Sequence, residues 1–287
     1  MSALACAALW AGSTVAMRSQ TGRVPVLAIN TFRTGFAALA FWLVLLALGR
    51  LADVLAVPGA ALGGLFGSVL FGMALGDSLH IRAMHAIGVS RAMPISSSYP
   101  LVTTLLAVVW LGEPVTPAMV LGVTLIVAGV YLVASPPRRV DGAGGDTAAT
   151  RPGVLLALAA SLCWATSTVM VRPALDQIDP LLANAIRLPA AFLVLALTVL
   201  RGARGAGAFA ISPRSALVLA GAGLVSGVSG AFWLVGVRYA GAAKAAALSS
   251  TAPMFAAPLA VLLLGERLSP RVGLGTLVTI VGIWLVL

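Results

Sequence analysis

Ten long apolar runs constrain the fold of this chain more than any other feature of its 287 residues. A helix that crosses a lipid bilayer takes about 20 largely apolar residues, whereas a transmembrane β-strand alternates in polarity over about 10. The runs lie at about 2–17, 25–48, 57–81, 92–111, 117–135, 153–171, 180–200, 214–237, 245–264 and 270–287. Soluble domains are about 25% charged, but this chain is 9% charged and 60% hydrophobic. The sequence therefore predicts an all-α polytopic membrane protein with ten transmembrane helices.

The two halves of the chain repeat each other. An offset of 154 pairs uncommon residues in order: Trp10/Trp164, Ser13/Ser167, Asn30/Asn184, Arg33/Arg187 and Gly76/Gly230. After a slip of one residue, an offset of 153 pairs Gly88/Gly241, Ser97/Ser250, Pro100/Pro253 and Glu113/Glu266. Because each half has five runs, an odd number, the second half must enter the membrane from the opposite side. The sequence predicts two inverted five-helix repeats, an architecture that recurs in transporters.

The repeats define the predicted organisation of the chain. Residues 1–135 form the first repeat and residues 153–287 the second. They are joined by a hydrophilic linker at 136–152, which is rich in Gly, Pro, Asp and Arg.

Charge and motifs exclude several function classes. The net charge of +10 comes from basic residues that stand mostly singly at the ends of apolar runs, where they contact lipid headgroups rather than nucleic acid. Cys6 and Cys163 lie inside apolar runs and have no metal-ligand neighbours, which predicts neither a disulfide nor a metal site. No Walker loop, catalytic triad or HExxH motif occurs. The sequence therefore predicts no cofactor and no enzymatic activity.

Three duplicated patterns resemble a known family. Each half carries an early Trp followed by Ser-Thr, then Asn-x-x-Arg in its second run, then Pro-x11-Gly-Glu before its fifth run. Together these patterns resemble the ten-helix, EamA-like branch of the drug/metabolite transporter superfamily, over nearly the whole chain except the linker. The resemblance implies secondary transport of small polar or amphipathic metabolites such as amino acids, often as export, through a cavity between the halves. The small four-helix exporters of this superfamily use a Glu in their first helix, and this chain has none there.

Asp77 is the one acid well inside a predicted span, and such residues are costly in a bilayer and so are candidates for function. His80 lies three residues further on and shares its helix face. The pair is a candidate for proton coupling, since a histidine titrates near neutral pH. Alternatively, His80 packs at a helix interface and Asp77 pairs with an arginine. A further alternative is a membrane-embedded enzyme or lipid-handling protein that uses Asp77, His80 and His85.

The duplicated arginines are candidates for substrate binding, with Asn30 and Asn184 three residues before them. Arg33 and Asp77 fall at similar depth on antiparallel spans, which predicts an ion pair. Arg187 has no such partner in its own half, because Ala231 stands at the position that matches Asp77. A buried guanidinium needs an anion, carbonyl groups or water. We expect Arg187 to contact a substrate carboxylate or phosphate, the alternative being that it snorkels or caps a helix end.

Hydroxyl-rich segments precede Pro100 and Pro253 in the fourth and ninth spans. Each proline removes one helical hydrogen bond and so creates a candidate hinge. Ser97, Tyr99 and Ser250 are candidate cavity residues, or they repair the helix break. Trp10 and Trp164, near the middle of their spans, either line the same site or pack.

Membrane orientation stays open at this stage. Lys and Arg are concentrated in the odd-numbered connections, which places both termini outside, whereas the resemblance implies cytoplasmic termini. The Ala, Gly and Arg bias suggests a bacterial plasma (inner) membrane protein. Its expected partners are the lipid bilayer and a small-molecule substrate, and we expect a monomer or a homodimer.

Overall fold

The computed structural model describes residues 2–111, 116–134, 147–202, 205–266 and 268–286. These residues are almost entirely helical, and their only extended pairing is an isolated bridge between Thr21 and Val24. The predicted linker at 136–152 lies mostly outside the described residues, and helix α8 begins within it, at Thr147. Glu113 also lies outside them.

Fourteen α-helices make up the described chain. The first half contains α1 (Ser2–Gln20), α2 (Val26–Ala47), α3 (Gly59–Ser68), α4 (Asp77–Ile87), α5 (Val89–Ser96), α6 (Tyr99–Leu111) and α7 (Pro117–Ala134). The second half contains α8 (Thr147–Val171), α9 (Ala174–Gln177), α10 (Pro180–Arg201), α11 (Pro213–Ala240), α12 (Ala242–Ser249), α13 (Ala252–Leu264) and α14 (Pro270–Val286). A π-helix at Val69–Gly76 joins α3 to α4 as one continuous rod.

Six helical segments among the described residues are long and apolar enough to cross a membrane. They are Val26–Ala47, Gly59–Ile87, Arg151–Gln177, Pro180–Arg201, Pro213–Ala240 and Ala242–Leu264. The other four predicted spans are also helical, as α1, α5 with α6, α7 and α14. The prediction of an all-α polytopic membrane protein is confirmed.

Repeat-equivalent helices α7 and α14 cross in antiparallel directions. Gly129 meets Gly275, since a Cβ atom on Gly129 would lie 2.6 Å from the Gly275 carbonyl oxygen. Gly122 meets Gly282 in the same way, since a Cβ atom on Gly282 would lie 2.6 Å from the Gly122 carbonyl oxygen. Residue numbers thus rise along one helix as they fall along the other. The missing side chains let the two backbones touch.

The second repeat-equivalent pair, α2 and α10, is antiparallel as well. Gly35 faces the Phe192 ring, and two turns further along α2 the Trp42 indole N–H donates to the Ala185 carbonyl at 2.9 Å. Two equivalent helices that pack antiparallel are related by a two-fold axis perpendicular to them. The halves are therefore inverted repeats, as the odd number of runs predicts.

Two equivalent hydrogen bonds join the halves. The Ser13 hydroxyl donates to the Ala222 carbonyl at 2.9 Å, and the Ser167 hydroxyl donates to the Ser68 carbonyl at 2.8 Å. All four positions are related by the 154-residue offset. Helix α1 accordingly packs on α11, and α8 packs on the rod formed by α3, the π-helix and α4.

The fourth and ninth spans are each broken just before the predicted proline. Helix α5 ends at Ser96 and α6 begins at Tyr99, while α12 ends at Ser249 and α13 begins at Ala252. Pro100 and Pro253 are thus the second residues of their helices, where a missing N–H leaves no hydrogen bond unmade.

Candidate functional site

A central cavity of about 150 Å³ lies where the two halves meet. It is lined by eight of the residues singled out from the sequence: Trp10, Arg33, Asp77, Ser97, Tyr99, Trp164, Asn184 and Arg187. Asn30, His80 and Ser250 do not line it. Residues from both repeats therefore share one site.

Arg33 is held by an ion pair in the first half. Its Nη2 atom lies 2.5 Å from Oδ2 of Asp77 and 2.6 Å from Oδ1 of Asn30, and all three residues are buried. Asn30 is itself fixed, because its Nδ2 group donates to the Met73 carbonyl at 2.8 Å. The predicted ion pair is present, and Asn30 acts behind it by orienting the arginine rather than by lining the cavity.

The second half repeats this arrangement without the acid. Asn184 donates through Nδ2 to the Gly227 carbonyl at 3.1 Å, the counterpart of the bond from Asn30 to Met73. Arg187 donates through Nε to the Ser68 hydroxyl at 3.0 Å. Its terminal Nη groups make no hydrogen bond to another described residue, although the side chain is 96% buried, with 4% exposure. Arg187 therefore presents unused donors at the cavity.

Arg187 has no acidic partner in its own half, as the sequence indicates, but Asp77 of the first half lines the same cavity. The inverted packing brings them together across the interface, which a comparison of matched positions cannot show. No ion pair forms, since the described ion pair of Asp77 is with Arg33.

Tryptophans cover the charged groups. The Arg33 guanidinium lies 5.5 Å from the ring centre of Trp10, and the Arg187 guanidinium lies 5.4 Å from that of Trp233. Trp164 departs from the repeat, because its indole N–H donates to Oδ1 of Asp77 at 2.9 Å. Both carboxylate oxygens of Asp77 are thus engaged, one from each half. Sequence reasoning missed Trp233, which has no tryptophan counterpart in the first half.

The π-helix brings Asp77 and Trp164 together. Its last residue is Gly76, where a Cβ atom would lie 2.8 Å from Cδ1 of Trp164. At Gly72, a Cβ atom would lie 2.4 Å from the Ser167 hydroxyl. Only glycine admits the indole and the hydroxyl this close to the backbone. π-helical turns are rare and frequently occur at functional sites.

His80 lies behind the cavity wall. It is fully buried, its Nδ1 atom is 3.0 Å from the Ser96 hydroxyl, and its ring is 5.0 Å from Trp164 and 6.3 Å from Trp10. His85, two turns from Asp77, is exposed. The trio required by the enzyme alternative is therefore not gathered at one site.

Some of the hydroxyls at the helix breaks line the cavity, and others bond to backbone carbonyls of the preceding helical turn. Ser250 donates to the Ala246 carbonyl at 2.8 Å, and Thr251 donates to the Leu248 carbonyl at 2.8 Å. Ser97 and Ser249 line the cavity instead. The candidate binding residue Ser250 thus satisfies its own helix, and its neighbour Ser249 takes the cavity position, 2.6 Å from the Tyr99 hydroxyl.

No metal site is found in the described part of the chain, which contains no group of three His, Cys, Asp or Glu residues close enough to share an ion. Both cysteines are free. The arginine and carboxylate side chains on the described cavity wall are Arg33, Arg187 and Asp77.

Comparisons with known proteins find matches over nearly the whole chain. The model of the EamA-like transporter family matches residues 1–135 and 151–287. An uncharacterized transporter of Archaeoglobus fulgidus is 27% identical over 99% of this chain and 96% of its own length. A Listeria innocua protein named as a candidate for sugar uptake is 32% identical, over 42% of this chain and 43% of its own.

A crystal structure of another protein shares the fold. It superposes with a TM-score of 0.70 at 21% identity, and the match covers 99% of this chain and 94% of that one.

Proposed function

The chain belongs to the EamA-like transporter family, and we propose that it is a secondary active transporter of small amphipathic metabolites that carry a carboxylate or a similar anionic group. Substrate occupies the central cavity, which opens alternately to the two membrane faces as the inverted halves rock against each other. We place the protein in the cell membrane and take export as the direction, in keeping with the drug/metabolite transporter resemblance.

The observation that carries this proposal is the state of Arg187. A guanidinium in a low-dielectric site is costly unless it is paired. Arg187 has one hydrogen bond, to Ser68, and leaves its Nη groups unused beside an open cavity. A carboxylate fits that pair of donors in a bidentate arrangement. Arg33 differs, because its charge is paired with Asp77 and its Nη2 atom already bonds to Asp77 and Asn30.

Asp77 is the proposed site of proton coupling. It is the one carboxylate among the described residues that line the cavity, and it bonds to both halves through Arg33 and Trp164. Protonation of Asp77 would weaken both hydrogen bonds and so change the free energy with which the two halves pack against each other. His80 lies behind Trp164 rather than in the cavity, and its role is to support this wall.

Transport by purified protein in liposomes tests the anion role. Arg187→Ala should abolish flux of carboxylate substrates while leaving the protein inserted, and Arg187→Lys should retain only part of it, since lysine lacks the planar fork. Arg172→Ala is the matched control, because Arg172 pairs with Asp176 away from the cavity. Undiminished flux in Arg187→Ala would refute the proposal. The labelled solute is loaded inside or outside in turn, so that the direction of transport is measured as well.

The coupling role needs a separate variant. Asp77→Asn keeps a side chain of the same size, whose single amide oxygen can accept from either Arg33 or Trp164, but it cannot bind the transported proton. We expect the variant to exchange substrate across the membrane without any response to a pH gradient. A variant still driven by the gradient would remove Asp77 from the coupling mechanism.

A further inference from the structure

We propose that the substrate is a net monoanion that joins a carboxylate to an aromatic ring and carries no amino group. This inference rests on the proposed function and narrows its substrate class. It also departs from the amino acids that the family resemblance implies.

The charges of the described cavity residues favour an anionic ligand. Arg33 and Asp77 neutralise each other at 2.5 Å, so the charge of Arg187 is left over among the described residues that line the cavity. A ligand of charge −1 restores neutrality. A zwitterion brings one negative and one positive charge, and so leaves the cavity with the same excess charge it had when empty.

An ammonium group on the substrate would need an unpaired carboxylate as its counter-ion. Asp77 is the only carboxylate on the described cavity wall, and Oδ2 bonds to Arg33 while Oδ1 bonds to Trp164. The hydroxyls of Ser226, Ser229 and Ser249 donate to backbone carbonyls, at 3.0, 2.9 and 2.8 Å. They can accept a hydrogen bond but supply no negative charge. Because Arg33 already balances the charge of Asp77, an ammonium group in this cavity would be desolvated without an unpaired counter-ion, which is unfavourable.

The tryptophans of the cavity favour an aromatic ring on the substrate. Three half-buried tryptophans line the cavity, and Trp233 lies directly against the Arg187 guanidinium at 5.4 Å. A group attached to a carboxylate on Arg187 therefore lies among indole rings. Trp164 is 6.0 Å from both Trp10 and Tyr99 in edge-to-face geometry, so the wall already shows the packing that an added ring would extend. Aromatic pairs are favoured over their buried area alone by a factor of about 2 to 10.

Four probes that differ by one group each test this inference. They are 3-phenylpropionate, L-phenylalanine, which adds the amino group, 2-phenylethylamine, which lacks the carboxylate, and 3-cyclohexylpropionate, which lacks the aromaticity. Binding to the purified full chain is measured by titration calorimetry at neutral pH. We expect 3-phenylpropionate to bind at least 10-fold more tightly than phenylalanine and about 2- to 10-fold more tightly than the cyclohexyl compound. The amine should show no saturable binding.

Variants assign each preference to its residue. Arg187→Ala should abolish binding of 3-phenylpropionate. Trp233→Leu should remove the preference for phenyl over cyclohexyl and keep the discrimination against phenylalanine. The control is Trp284→Leu, since Trp284 is 54% exposed on α14, outside the cavity.

The outcomes separate this inference from the proposed function. Equal binding of phenylalanine and 3-phenylpropionate would overturn the exclusion of the amino group, and equal binding of the cyclohexyl compound would overturn the aromatic requirement. Failure of all four probes would overturn both parts. The proposed function would survive each of these results if the flux of some other carboxylate still depended on Arg187. It would be refuted as well if no carboxylate flux depended on Arg187.

Discussion

Ser68 in the first half holds Arg187 of the second half through a hydrogen bond of 3.0 Å to Nε. The position equivalent to Ser68 is Ala222, which has no hydroxyl, and Nε of Arg33 is accordingly buried without a partner among the described residues. The Ser68 hydroxyl thus gives Arg187 a hydrogen bond at Nε that its repeat-equivalent, Arg33, does not have. Arg33 is fixed at Nη2 by Asp77 and Asn30, whereas Arg187 is fixed at Nε and makes no hydrogen bond to another described residue through its terminal groups, which are free for a ligand.

Ser68→Ala should therefore weaken substrate binding although no charge is lost. Removing one hydrogen bond to a charged group costs about 1.5–3 kcal/mol, or roughly 10- to 150-fold in Kd if the whole loss falls on binding. The loss should appear in the Kd for 3-phenylpropionate measured by calorimetry, while the melting temperature changes little. Ser226→Ala is the control on the same cavity, because its hydroxyl bonds only to its own helix. If both variants weakened binding alike, Ser68 would have no special part in positioning Arg187.

Gly76→Ala should disturb the site through sterics. The added methyl group would lie 2.8 Å from Cδ1 of Trp164 and 2.8 Å from the Phe71 carbonyl oxygen, so the indole must move away from Asp77. Such overpacking costs about 1–3 kcal/mol of folding free energy. Unfolding in detergent measures this cost, and titration measures the accompanying loss of affinity. At Gly12 a Cβ atom meets nothing within 4 Å, so Gly12→Ala should be neutral or stabilising. Equal stability of the two variants would contradict the packing described for Trp164.

Ser13→Ala and Ser167→Ala should have equal effects on stability. Their hydroxyls make equivalent bonds of 2.9 and 2.8 Å between the halves. Side-chain hydrogen bonds in membrane proteins contribute about 0.6 kcal/mol on average, and this is the loss expected in each variant when unfolding is followed in detergent. Thr166→Ala, whose hydroxyl bonds within its own exposed helix face, controls for the loss of a hydroxyl. A large difference between the two serine variants would show that the two-fold relationship does not extend to their energetics.

Asp179 should make stability depend on acid pH. Its partial burial opposes ionisation, but hydrogen bonds from Arg50 at 2.6 Å and from the backbone N–H groups of Leu181 and Leu182 outweigh that effect and hold the pKa of Asp179 below its ordinary value. A lowered pKa stabilises the fold fully above the pKa of the unfolded chain, about 4, and this contribution is lost as pH falls through the lower pKa of the folded state.

Asp179→Asn tests this dependence, because asparagine retains the helix cap but does not titrate. The melting temperature of the variant should fall less steeply than that of the wild type as the pH drops below about 4. Asp176→Asn, at the solvent-exposed pair with Arg172, should follow the wild-type profile. An unchanged profile in Asp179→Asn would mean that the ion pair with Arg50 does not contribute in solution.

The duplication made part of this site predictable. Matched pairs such as Asn30/Asn184 and Arg33/Arg187 indicated residues at similar depth, and the odd number of runs indicated inversion, so their convergence on one interface followed. Ser250 remains a candidate: its hydroxyl makes the repair bond to its own helix that the sequence left as an alternative, while the adjacent Ser249 lines the cavity. Departures from the repeat, such as Trp233 and the bond from Trp164 to Asp77, have no matched partner and so gave no signal.

The two halves differ in length next to the π-helix. The first half has one more residue between Gly76 and Gly88 than the second half has between Gly230 and Gly241, which is the slip from an offset of 154 to 153. The π-helix ends at Gly76, and the equivalent part of α11 is a regular α-helix. The extra residue falls beside Asp77, the acid that only the first half carries.

The two-sided accessibility of the cavity tests the central claim most directly. Ser226 lines the cavity and, changed to cysteine in a chain with Cys6→Ala and Cys163→Ala, gives a single thiol there. A membrane-impermeant thiol reagent is then applied to intact cells and to inside-out vesicles. The account predicts modification from both faces, slowed by a bound carboxylate substrate in the wild-type Arg187 background but not in Arg187→Ala. Modification from one face only, or protection that does not depend on Arg187, would contradict it.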